Sequence, residues 1–243
     1  MSDKSIIGLS RLMALQQAVD SIANNVANQG TVGFKAERLN FREYLSAERE
    51  RPDEDWPARR NSLVDIRSFT DFSSGPVSAT GHPLNAAVAG DGFFVVQTRA
   101  GERYTRNGAF QVDQAGRLVT NGGDPVLTAS GPLTLSPQDQ APSISADGSI
   151  VASGKVVGRL RVVRFADPRG LSPEGGNLFR ATRPPEEVAV GAVRLVPGNL
   201  EKANVSAVME MSRLMEVSNA YKLTAAVVMK DDNNELGRLA GTE

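Results

Sequence analysis

The two ends of this chain repeat apolar residues at alternating three- and four-residue steps, and that pairing limits the possible folds more than any other feature. Between Ile6 and Ala27, Leu9, Leu12, Val19, Ala23 and Val26 recur in this rhythm with Gln16 completing the series, and no glycine or proline follows Gly8. Such spacing places one stripe on an amphipathic helix. Asn24, Asn25 and Asn28 then gather before Gly30 and Gly33, which suits a helix stop near Asn28 and a turn. Residues 204–229 again lack glycine and proline, and Ala207, Met211, Leu214, Ser218, Tyr221, Ala225 and Val228 follow a heptad seam. Asn204 reads as the N-cap, with Ser206 the rival, and the polar stretch from Lys230 onward reads as a fraying end.

The texture between the helices is different. From Gly75 to Pro197, short β-branched and aromatic runs alternate with Gly, Pro, Asn and Asp, the pattern of an all-β region. Phe93–Val96 and Arg103–Thr105 flank a turn at residues 98–101, and Phe110–Val112 and Arg117–Val119 flank another at 113–116. Further strands are expected at Ser143–Ile144, Ile150–Val151, Val157–Phe165 and Val193–Val196. Ser46–Arg60 mixes five acidic with several arginine side chains around Pro52 and Pro57, and reads as a solvated loop. Its alternative is a segment that orders on a neighbouring subunit through Trp56.

The expected class is therefore α+β: paired N- and C-terminal helices forming a coiled-coil stalk, with an all-β domain inserted. The expected boundaries are 1–35 for the first helix and its turn, 36–74 for a connecting segment with the charged loop, 75–197 for the β-rich domain and 198–243 for the last helix. Two helices of this length are short for an isolated coiled coil. Ile6, Ile7, Leu15, Val208, Met215 and Val227 also give them a second apolar edge. Bundling between chains and an ordinary intramolecular hairpin both satisfy the periodicity.

Composition narrows the chemistry. The absence of cysteine and the single histidine, His82, remove thiolate nucleophiles and the usual Cys/His zinc sites. His82, between Gly81 and Pro83, reads as a turn histidine. A net charge of −1 argues against a chain-wide phosphate-binding surface, so no nucleic-acid partner is expected. Gly90-Asp91-Gly92 lacks a full phosphate-loop pattern and precedes a strand, and no hairpin has calcium-loop spacing. The first residues lack the apolar core of a secretory signal, and no run is long enough to cross a bilayer. No catalytic site, cofactor or metal is expected.

Gly8–Gln16, Ile22-Ala23-Asn24-Asn25-Val26-Ala27-Asn28 and Thr31-Val32-Gly33-Phe34-Lys35 resemble the N-terminal signature of bacterial flagellar rod and hook proteins, with Gly30 where a small polar residue is commoner. Similarity continues through Thr80–Asn85, Gly90–Val96, Arg103–Phe110, Asp167-Pro168, Gly175–Phe179 and Glu210–Tyr221, so it covers both helices and the middle. The resemblance implies a structural axial subunit, closer to the proximal-rod than to the distal-rod members. It would pass the flagellar type III export apparatus uncleaved and polymerise with itself and with other proximal and distal rod subunits in the rod crossing the periplasm. Within that reading Leu9, Leu12, Val19, Ala23 and Val26 meet Met211, Leu214, Tyr221, Ala225 and Val228, within a chain or across subunits. Asn28, Gly33 and Phe34 set how the chain leaves the first helix. A carbohydrate-binding β-domain is the distant alternative, disfavoured by the 5% aromatic content.

Overall fold

A helix at each end and short strands between them are what the computed structural model contains, and it describes residues 3–47, 60–189, 192 and 194–240. The first helix, α1, spans Asp3–Ala27 and the last, α2, spans Ala207–Ala240. The α+β class holds, with a large multi-stranded region inserted in sequence between two helices that pack against each other. α1 stops where the asparagines accumulate. α2 runs through the polar stretch after Met229 that reads from sequence as a fraying end.

The chain divides into two compact units. One, the helical unit, holds Met1–Ala27, Glu37–Phe69 and Ser206–Glu243; the other, the β unit, holds Asn28–Ala36 and Thr70–Val205.

In the helical unit, α1 and α2 run antiparallel. At one end a Cβ on Gly8 would collide with the Val228 side chain, so the backbones approach closely there. Towards the other end Ile22 and Asn25 line a cavity of about 270 Å³ together with Glu210 and Val217. Two long strands, β1 (Glu37–Ala47) and β2 (Arg60–Thr70), pair into a two-stranded sheet where the sequence suggests only a connecting segment. Residues 48–59, most of the charged loop and Trp56 included, lie outside the described residues.

The β unit is organised on the strand Gly92–Thr98, the inner member of a six-stranded sheet. The strand order is Leu171–Pro173, Phe179–Ala181, Gly101–Thr105, Gly92–Thr98, Val162–Arg164 and Glu186–Glu187. Alternate side chains of a strand face opposite ways. Phe94 and Val96 accordingly enter one core with Phe110, Leu118 and Ile150, while Phe93 and Val95 enter a second with Tyr104, Phe165 and Phe179. Edge-on ring contacts at 5.0 Å for Phe94–Phe110 and 5.6 Å for Phe93–Phe165 tie each core together.

The hairpins fall where their turn residues place them. Thr98 pairs with Gly101, Val112 with Leu118, and Ser143 with Val151. The single strand expected at Val157–Phe165 is two: Lys155–Arg159 belongs to a three-stranded sheet and Val162–Arg164 to the six-stranded one. Leu160 and Arg161 make the change, donating their N–H groups to Gly148 and Leu127.

Candidate assembly surface

The signature after α1 is built around buried charge. Within the β unit Gly33 has φ of 69°, and a Cβ there would sit 2.5 Å from the Asn107 backbone nitrogen, so only glycine fits. Its N–H donates to the Glu201 carbonyl at 2.8 Å, and the Asn177 side chain donates to the Val32 carbonyl at 2.8 Å. Two residues on, the Lys35 amine is fully enclosed and donates to Glu201 Oε1 at 2.7 Å and to the Ser73 carbonyl at 2.6 Å. The same Oε1 accepts the Gly75 N–H at 2.8 Å.

Arg106 adds a second buried cation. Its guanidinium lies 4.7 Å from the centre of the Phe93 ring, donates to the Gly90 carbonyl at 2.6 Å and stands 3.7 Å from Glu201 Oε2. Burial pushes the Lys35 amine below its ordinary range, opposed by its hydrogen bond to Glu201, and Arg106 is lowered for the same first reason. One carboxylate thus holds residues from three distant stretches of chain, at Lys35, Gly75 and Arg106, which fixes the turn more firmly than backbone propensity could.

Asn204 is not the cap of α2. Its side chain accepts the Ala36 N–H at 2.7 Å and donates to the Asp71 carbonyl at 2.8 Å, tying strand entry to exit inside the β unit. The helix starts later, with the Ser206 carbonyl accepting the Glu210 N–H at 2.9 Å.

The helical unit has its own lock. Asn25, nearly fully buried, donates to the Glu37 carbonyl and accepts the Glu37 N–H, both at 2.8 Å, as a strand neighbour would. Of the asparagine-rich signature, Ile22 and Asn25 are inside while Ala23 and Asn24 are at the surface. Glu210, 1% exposed, accepts from Arg38 at 2.6 Å and from Arg213 at 2.9 Å.

The seam read from the sequence differs from the buried line of the single chain. On α1 the enclosed residues are Ala14, Ala18, Ser21, Ile22 and Asn25, small groups that allow close approach. Leu12, Val19 and Val26 are half-buried, and Leu9 and Ala23 are exposed. On α2, Leu214, Tyr221, Ala225 and Val228 are half-buried, whereas Met211 is exposed and Glu210 takes the inner place beside it. Asn28 and Phe34 are half-buried and Gly33 is buried. Lys35, Arg106, Glu201 and Asn204 carry the turn, yet the seam argument passes over them; charged residues inside otherwise apolar motifs were the available signal.

The helices also retain uncovered apolar groups. Val208, Met209, Met211, Met215, Leu223, Val227 and Met229 on α2, and Leu9 and Met13 on α1, are each more than half exposed. Exposed apolar side chains in such number on paired helices are the candidate assembly surface.

Three family models match the chain in order: flagella basal body rod protein over residues 7–35, the flagellar hook protein FlgE/F/G D1 domain over 87–152, and the flagellar basal body rod FlgEFG protein C-terminal region over 196–235. Among curated relatives, the flagellar basal-body rod protein FlgF of Caulobacter vibrioides is 37% identical over 99% of this chain and 97% of its own length. The chain belongs to the flagellar basal-body rod protein family. FlgF of Escherichia coli is 34% identical over 90% of the chain and 89% of its own length, and the rod protein FlgG of Bacillus subtilis 32% over 93% of each. This rod subunit is a structural axial component, consistent with FlgF. Among the described residues no acidic or histidine cluster could hold a metal, and no helix is long and apolar enough to cross a membrane.

Proposed function

We propose that this rod subunit polymerises through its terminal helices into the proximal part of the rod crossing the periplasm, after passage through the flagellar type III export apparatus. Its partners are further copies of itself and other proximal and distal rod subunits. The observation that carries this reading is the run of exposed apolar side chains on two helices that are already paired. A head-to-tail contact that does not close on itself builds an open filament, so such a surface need only match a different surface of the next subunit. Leu9, Leu12, Val19, Ala23, Val26, Met211, Leu214, Tyr221, Ala225 and Val228 are assigned to these helix contacts, and Asn28, Gly33 and Phe34 to the geometry of the exit turn.

The proximal position is supported by the likeness to FlgF, with a distal-rod position as the second reading because FlgG relatives match over similar lengths. Quantitative mass spectrometry of detergent-washed hook-basal bodies from the host separates them. A fixed ratio below that of the distal subunit supports the proximal reading, a larger share supports the distal one, and absence contradicts both.

A further inference from the structure

Of the six methionines in the chain, the five whose surroundings are described all sit on the terminal helices. Their exposures are 67% for Met13, 56% for Met209, 52% for Met211, 64% for Met215 and 67% for Met229. None enters either core of the β unit, where leucine, valine, isoleucine and phenylalanine do the filling. Methionine ordinarily serves interiors as an adaptable gap-filler, and its concentration on an open face is the pattern of surfaces that must fit a partner. At about 100° per residue, Met211, Met215 and Met229 fall within about 40° of arc on α2. Met211 and Met215, one turn apart, form one apolar patch with Val208, and the exposed Asn219 and Lys222 on the same face separate it from Met229.

We infer that Met211 and Met215 form an oxidant-responsive modification site on the unassembled subunit, where hydrogen peroxide converts their thioethers to sulfoxides and blocks incorporation. The inference rests on the polymerisation reading above. In the reaction a sulfur lone pair attacks one peroxide oxygen, the S–O bond forms as the O–O bond breaks, and a proton passes to the departing oxygen to give water. Sulfur loses two electrons and the peroxide gains them. The product is a polar, strongly accepting group within an apolar patch, and a methionine sulfoxide reductase reverses it. Docking removes the same side chains from solvent, so the site is open only until incorporation.

The test uses the full-length chain induced in a host lacking its own copy. Hydrogen peroxide is pulsed during induction and quenched before rods are complete, and peptide mass spectrometry compares the unassembled pool with washed basal bodies. Sulfoxide at Met211 and Met215 is expected in the pool and depleted at least about tenfold in rods. A chain carrying Met211→Leu and Met215→Leu is expected to enter rods under the same pulse, and if it assembles poorly without oxidant, the wild-type partition still decides. Equal sulfoxide fractions in pool and rods would overturn the inference. A Met215→Asp chain separates the two readings: normal incorporation removes the polymerisation surface itself, whereas its exclusion alongside free entry of oxidised chains removes the oxidation site alone.

Discussion

The β unit encloses most of its large apolar side chains, Val77, Val112 and Val156 excepted, whereas the helical unit leaves many of its own in water. Phe93, Phe94, Val95 and Val96 are almost wholly buried along one strand, while Met209, Met211, Met215 and Met229 stand more than half exposed on α2. The β unit satisfies most of its hydrophobic pattern within one chain. The helical unit satisfies only part of it, through Ala14, Ala18, Ile22 and the Asn25 lock on Glu37. The two units divide the labour: one is largely self-sufficient, and the other keeps the apolar groups that the proposed polymerisation covers.

The contrast breaks most sharply at the buried charges. Glu201→Ala leaves Lys35 and Arg106 enclosed without their carboxylate, and a loss of about 3–5 kcal/mol is expected in denaturant unfolding of the full chain. A loss below about 1 kcal/mol would mean that the cations find other partners. Truncation measures the two interiors directly. Phe94→Ala is expected to cost about 3–5 kcal/mol, and Leu214→Ala, half-buried, less than half as much by the same measurement.

Asn25→Ala tests the lock of the helical unit. It strands the Glu37 N–H and carbonyl, with an expected loss of about 1–3 kcal/mol and faster amide exchange in the C-terminal turns of α1. Met215→Asp sharpens the comparison from the other side. Unfolding of the free chain should change by no more than about 0.5 kcal/mol, because the side chain touches little, while incorporation into rods is lost.

The smallest effect belongs to the turn at Asp113. Its carboxyl is held below the usual range first by the Arg117 backbone N–H, at 2.8 Å, with the Arg117 side chain adding to it. Because the folded value lies below the unfolded one, the contribution is present above the ordinary carboxylate range and is lost as pH falls through the folded value. Asp113→Asn should therefore flatten the acid limb of the stability profile slightly, a change read by thermal unfolding across acidic pH.

What the sequence reveals follows the range of the interactions. Hairpins such as Gly92–Thr98 with Gly101–Thr105 are local, so glycine at the turn and β-branched flanks expose them. Both helices are legible from periodicity, but not which face of α1 is most enclosed, because side-chain size points to Leu9 and Val19 while close packing selects alanine and serine. The strands β1 and β2 were hidden by charged residues that interrupt the alternation in Glu37–Ala47 and Arg60–Thr70. The lock between Lys35 and Glu201 joins residues 166 positions apart, a distance at which no local pattern operates. Asn204 misled because an asparagine just before a helix has the composition of a cap, and only the neighbouring strands show where its amide is used.

Amide hydrogen exchange of the full-length chain, compared free in solution and within purified rods, reads out whether neighbouring subunits complete the helical unit. Gly92–Thr98 and its sheet neighbours are expected to be equally protected in both states, while α1 and α2 exchange faster than the sheet in the free chain and gain protection in the rod. Equal protection of the helices in both states would contradict this expectation, because the helical unit would then be complete without neighbours.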